Sequence, residues 1–201
     1  MEKKIKIVDM GIDSLGTLGV KAISVVEQPA INVDFVALNE QKPQFVKLQA
    51  DSKHLLCGAL LIPDQLIFRR DDKTNEEFYI RYSSQVIEQV AHNYLKQGKQ
   101  SNATLEHTDK IEGLTLVESW ITCANDKSKD YGFDLPVGTW FGVIKCDNED
   151  VWNQVEQGKV KGFSIEGLFS PVKSQLMSSQ LNEEEQLFSD LDALIKEFNA
   201  N

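Results

Sequence analysis

Three histidines, His54, His92 and His107, are the side chains able to act as a base near neutral pH without a large shift in pKa. His92 falls on the wet face of a predicted helix. His54 precedes an apolar run, and its His54-x-x-Cys57 spacing is half of a metal-ligand pattern with no second pair to complete it. His107 ends a predicted short strand in Thr104-Leu105-Glu106-His107-Thr108-Asp109, where a loop begins and a side chain can face a cleft. The candidate nucleophile for such a base is Ser164, in Lys161-Gly162-Phe163-Ser164-Ile165-Glu166-Gly167. Alternation along a strand sends Phe163 and Ile165 to one face and Ser164 to the other. Gly162 adds no side chain on the serine's face, which would leave room for a substrate strand, and Gly167 is placed to bend or end the strand. Strand logic alone also reads such a serine as a small polar filler. The chemistry open to a serine and a histidine is acyl transfer through a covalent intermediate. No Gly-x-Ser-x-Gly elbow is present, so the nucleophile turn of an α/β-hydrolase is not expected. Gly11, Gly16 and Gly19 lack the spacing of a phosphate loop and read as turn residues.

The elements that must position these residues are mostly strands. Segments rich in Val, Ile, Leu, Phe and Trp predict strands at 4–8, 22–26, 33–38, 55–62, 77–82, 103–106, 114–122, 139–145 and 160–169. Two helices interrupt them. Val86, Ile87, Val90, Ala91, Tyr94 and Leu95 form one apolar stripe over 84–97, ended by Gly98. The second helix spans 148–157, with Glu149 and Asp150 in the first turn, where the helix dipole favours acids, and Gly158 as terminator. A polar tract at 173–180 leads to a third, amphipathic helix over 182–198, in which Leu187, Phe188, Leu191, Leu194, Ile195 and Phe198 recur at helical spacing. The pattern predicts an α+β protein, a β-barrel or sandwich carrying helices, with a C-terminal amphipathic helix. Its parts are a leader at 1–45 packing on the core, a core at 46–172, and a linker and helix at 173–201.

Composition limits the function classes. The 201 residues carry 21 basic and 31 acidic side chains, a formal charge of −10, which argues against gripping a nucleic-acid backbone. Hydrophobic residues are 41% and charged residues 26%, enough for a core without disulfide or metal staples. No apolar run approaches the ~18 residues of a membrane span. Lys6 and Asp9 interrupt the start where a secretory signal needs an apolar stretch, so residence in a cytoplasm is expected. Cys57, Cys123 and Cys146 each adjoin an apolar run and read as buried thiols. The scarcity of His, Cys and Asp clusters predicts neither metal nor organic cofactor.

Several short motifs in one order carry a resemblance. Leu105-Glu106-His107-Thr108, Val117-Glu118-Ser119-Trp120-Ile121, Pro136-Val137-Gly138-Thr139-Trp140 and Gly162-Phe163-Ser164-Ile165-Glu166-Gly167 resemble the phage prohead serine proteases of the XkdF type. Ile23-Ser24-Val25-Val26-Glu27-Gln28-Pro29-Ala30 resembles the family's opening. The resemblance implies a fold similar to the herpesvirus assemblins, a mainly antiparallel β-barrel with surrounding helices, and cleavage of scaffold and major-capsid-protein extensions inside the prohead, in the host cytoplasm. By residue it implies that His107 is the catalytic histidine and Ser164 the nucleophile, and it points to Glu118 as the third member. Asp109 and Glu166 compete for that third place. A homodimer is compatible with the assemblin likeness. The alternative functions are a non-catalytic scaffold or assembly factor of the same fold, and a serine hydrolase of small esters.

Overall fold

The computed structural model describes residues 5–13, 17–31, 36–38, 53–71 and 73–172, with the backbone alone at 36–38. The chain divides into two compact units, Met1–Ser170 and Pro171–Asn201, and every feature discussed below belongs to the first. The amphipathic helix expected at 182–198 lies outside the described residues.

In chain order the first unit contains β1 (Lys6–Gly11), β2 (Gly19–Val26), β3 (Val36–Leu38), β4 (Leu55–Leu61), β5 (Ile67–Arg70), β6 (Glu77–Arg81), α1 (Ser84–Lys96), β7 (Ala103–Leu105), β8 (Asp109–Ile111), β9 (Leu114–Ile121), β10 (Trp140–Cys146), α2 (Glu149–Glu156) and β11 (Gly162–Leu168). The α+β class holds, but the expected closed barrel does not. The eleven strands named above instead fall in three open sheets, in the orders β1-β6-β5, β3-β4-β10-β9 and β11-β2-β7-β8. Closure requires every edge strand to find a hydrogen-bonding neighbour. Here α1 packs against β2 of one sheet and against β9 and β10 of another, so the sheets meet through side chains. Most pairings are antiparallel, and β1 with β6 and β2 with β7 are parallel.

β4 and β10 are the core of the middle sheet. Their near-continuous apolar runs, LLCGALL and WFGVIKC, are buried on both faces, as expected of a strand covered from two sides. α1 starts at Ser83, whose side chain accepts from the Val86 N–H at 3.3 Å, and it buries Ile87, Val90, Ala91 and Tyr94. Tyr94 meets Trp140 edge to face at 5.6 Å. α2 starts at Asn148, whose side chain accepts from the Asp150 and Val151 N–H groups at 3.1 Å. Cys57 and Cys146 are buried, and burial above all pushes the Cys57 thiol up to about 12. Cys123 departs from expectation and is exposed. It lies past the end of β9, in a turn where its N–H donates to Asp126.

Asp126 organises that turn. Its carboxylate accepts from the Cys123 N–H at 2.8 Å, the Ser128 N–H at 2.8 Å and the Trp120 indole at 3.1 Å. Desolvation works to raise its pKa, but the hydrogen bonds from Ser128, Cys123 and Trp120 outweigh it and hold the group at about 2, below its ordinary 3.8. A depressed carboxylate stabilises the fold fully above the unfolded value and loses that contribution as pH falls through the folded one. Asp126→Ala is therefore expected to cost about 1 kcal/mol at pH 7, solvent screening included. Urea unfolding should show wild type and variant converging between pH 4 and pH 2; a constant gap across that window would refute the assignment.

Candidate active site

The sheet β11-β2-β7-β8 carries the residues with chemistry. β2 lies between β11 and β7, and its Ser24 is paired with Ser164 on one side and Thr104 on the other. Cross-strand partners share a face, so Ser164, Ser24 and Thr104 form a polar row across three strands. The opposite face is core: Phe163, Val25 and Ile23 are all fully buried. A segment outside the main predicted core thus supplies the strand on which both candidate residues are hung.

His107 stands in the hairpin between β7 and β8. Leu105 O accepts from the Thr108 N–H at 3.0 Å, and both residues between them, Glu106 and His107, have positive φ of 50° and 60°. A turn of this kind favours Asn and Gly; Glu-His adopts it at a cost of order 1–3 kcal/mol per residue. β2 and the residue after it offset that cost. The Glu106 N–H donates to Val25 O at 3.1 Å, the Glu106 carboxylate accepts from the Glu27 N–H at 2.6 Å, and the His107 N–H donates to Ser24 Oγ at 3.1 Å. The Ser24 hydroxyl also donates to Thr104 O at 3.3 Å. Ser24 is completely buried and engaged with backbone, so it positions His107 and is not itself a nucleophile.

The carboxylate at the imidazole is Glu166. His107 Nδ1 lies 3.2 Å from Glu166 Oε1, which also accepts from Thr104 Oγ1. Glu166 is two residues beyond Ser164 and so shares its face. Its cross-strand partner is Ala22, whose methyl group leaves the longer side chain free to cross β2 and reach β7. A carboxylate only accepts, so Nδ1 carries the proton and Nε2 keeps its lone pair, the tautomer a general base needs.

Glu118 is placed elsewhere. It lies on β9, in the middle sheet, where its carboxylate pairs with Lys127, whose ammonium sits 4.3 Å from the centre of the Trp120 ring. The reason is a β-bulge: Val143 is opposite Glu118 but Ile144 is opposite Leu116, so Val117 is an extra residue. The bulge turns the strand over, leaving Leu114 and Leu116 inward and Glu118 exposed. Asp109 is exposed and pairs across the hairpin with Leu105. Among the described residues, Glu166 is therefore the carboxylate hydrogen-bonded to His107. His92 is exposed, as expected; His54 stacks on Trp152 at 4.2 Å and lies 4.0 Å from Glu149.

Both glycines beside Ser164 are required by packing. A Cβ on Gly162 would lie 2.5 Å from Pro29 Cγ, so Pro29 fills the space that a substrate strand was expected to use. A Cβ on Gly167 would lie 2.3 Å from the carbonyl oxygen of Gly19, at the register shift between Glu166 and Gly167. Backbone cannot yield as a flexible side chain can. Gly167→Ala is expected to destabilise by about 1–3 kcal/mol, read from the urea midpoint; an unchanged midpoint would mean that the bulge relaxes freely.

Room for a peptide lies on the other side of the strand. β11 ends its sheet, so one edge of the strand bearing Ser164 has no strand neighbour among the described residues. Beside it opens a cleft of about 280 Å³, with Ser164 and Ile165 in one wall. Ser164 itself is 5% exposed.

With this arrangement in view, residues 42–172 match the family described as "Putative phage serine protease XkdF". The chain belongs to this family. The matched span contains His107, Glu118, Ser164 and Glu166, while Ser24 lies before it. The chain is also 27% identical over 172 residues to "Uncharacterized protein YqbD" of Bacillus subtilis (strain 168), covering 82% of this chain and 48% of the relative. It thus spans about half the length of that relative. No solved structure matches. Among the described residues, no group of three or more His, Cys, Asp or Glu side chains is placed to hold a metal ion, and no helix is long and apolar enough to cross a membrane.

Proposed function

We propose that the protein is a serine endopeptidase of phage head maturation, cutting scaffold and capsid-protein extensions within the prohead in the host cytoplasm. Ser164 is its nucleophile, His107 its base and Glu166 the carboxylate that orients the base. The observation that carries this reading is the His107 Nδ1–Glu166 Oε1 pair, 3.2 Å apart, on the same sheet face as Ser164.

In the reaction, Ser164 Oγ bonds to the scissile carbonyl carbon as its proton passes to His107 Nε2. The tetrahedral intermediate collapses with loss of the C–N bond, and the imidazolium gives its proton to the departing amine. Water then adds to the acyl-enzyme by the same route and releases the acid, with Ser164 reprotonated. Glu166 stabilises the imidazolium throughout. Ser164 and His107 flank β2 and make no hydrogen bond to each other among the described residues; catalysis requires the half-exposed imidazole to bring Nε2 within reach of the serine when substrate binds, and such contacts are often loose beforehand. The outer edge of β11, without a strand neighbour among the described residues, offers backbone groups to an extended peptide, and main-chain pairing of this kind suits a protein chain better than a small ester.

The test is co-expression of the full chain, or Ser164→Ala, with the scaffold and major capsid proteins of its phage, followed by intact mass spectrometry. Discrete cuts are expected only with Ser164 present. Intact partners in both samples, with folded protein and assembled heads, would shift the reading to a non-catalytic assembly factor.

A further inference from the structure

The cleft beside Ser164 is apolar but for one charge. Strand alternation on β5 turns Ile67 inward, Phe68 outward and Arg69 inward again, and the register sets Arg69 beside Phe78 and Ile67 beside Ile80. Ile67, Arg69, Phe78 and Ile80 line one side of the cleft, facing Ser164 and Ile165 of β11. The Arg69 guanidinium donates to Phe68 O at 2.8 Å, and most of its five N–H groups have no acceptor among the described residues. Among the described residues it forms no ion pair; the nearby Arg81, by contrast, is held by Asp9. Tyr82, also in the wall, is pushed up to about 12, chiefly by burial, so it stays neutral and does not match the charge. In a chain of formal charge −10, a partly buried cation lining an apolar cleft and unpaired among the described residues is a feature that a bound anion would explain.

We infer that Arg69 is a specificity residue: the cleft takes an acidic side chain of the substrate peptide, glutamate better than aspartate, close to the scissile bond. The inference rests on the protease reading above. Arg69 and Ser164 line the same cleft, so a side chain that meets Arg69 comes from a residue near the carbonyl that Ser164 attacks. The apolar walls cover the methylenes of glutamate, and the planar guanidinium receives both carboxylate oxygens. Aspartate is one methylene shorter and gives up part of both contacts.

The test digests a library of proteome-derived peptides with the purified full chain and reads the cut sites by mass spectrometry, using Ser164→Ala as the blank. Wild type should enrich glutamate at one position near the cut by at least about tenfold. Arg69→Lys should keep a weaker acidic preference. Arg69→Glu should abolish it or turn it toward lysine, and circular dichroism of both variants confirms folding. Cutting by wild type without an acidic preference, or with the same preference in Arg69→Glu, overturns the inference while the protease reading stands. The latter result would assign Arg69 to guarding the β5 edge against unwanted pairing. Cutting absent from wild type removes both.

Discussion

Ser164→Ala is expected to reduce peptide cleavage by on the order of 10⁴- to 10⁶-fold and to change stability by less than about 0.5 kcal/mol. The two halves of that expectation have separate grounds. A serine kept as polar filler is held by hydrogen bonds, and losing a buried one costs about 1 kcal/mol. The Ser164 hydroxyl donates to no partner among the described residues, although it is 5% exposed and lies in a row whose other members, Ser24 and Thr104, are bonded. Alanine is smaller, leaves no cavity of consequence, and leaves Phe163 in the core untouched. Loss of the hydroxyl removes acyl-enzyme formation altogether, and the residual rate belongs to substrate binding and any oxyanion donors. The measurement is the rate of cut-fragment appearance on a capsid or scaffold substrate, beside thermal melts of both proteins. Equal rates would sink the assignment of Ser164; a large drop in melting temperature would make it structural.

Much of this arrangement was legible in the sequence because it rests on local chemistry. The stripe from Val86 to Leu95 with Gly98 after it, and Asn148 with Glu149, Asp150 and Gly158, specify helices whose ends the structure reproduces within a residue or so. Strand alternation placed Phe163 in the core and Ser164 opposite it. What was not legible depends on register. The bulge at Val117 turns Glu118 outward, and nothing in Leu114-Thr115-Leu116-Val117-Glu118 announces an unpaired residue, since bulges are decided between two strands. The same holds for Ala22 opposite Glu166, which clears the carboxylate's path to His107, and for Ser24, whose role emerges once β2 is known to separate β11 from β7. Arg69 gives no sequence signal, because its inward direction comes from the pairing of β5 with β6. The barrel expectation failed for the related reason that strand count does not determine which edges close.

The contrast between Glu166→Gln and Glu118→Gln is the sharpest test of the third catalytic member. Glu166→Gln is expected to lower kcat by about 10²- to 10⁴-fold with KM little changed, and Glu118→Gln to alter either by no more than a few-fold. An amide at 166 no longer stabilises an imidazolium, and its NH₂ can donate to Nδ1, which drives the ring proton to Nε2 and blocks the lone pair that must receive the Ser164 proton. Thr104 Oγ1 meets the same atom of residue 166 as Nδ1 does, and a hydroxyl can accept from the amide as well as donate to a carboxylate, so the side chain keeps its place and the fold is preserved. Glu118 faces Lys127 on the outside of another sheet, and an exposed ion pair of this kind contributes at most about 1 kcal/mol to stability and nothing to a proton transfer on the β11-β2-β7 sheet. Because a merely structural Glu166 would raise KM and lower the melting temperature as well, the deciding readout is a fall in kcat with KM and the thermal melt unchanged. A collapse of kcat in Glu118→Gln with near-normal Glu166→Gln would reverse the assignment, and would require β9 to give up its bulge and approach His107 when substrate binds.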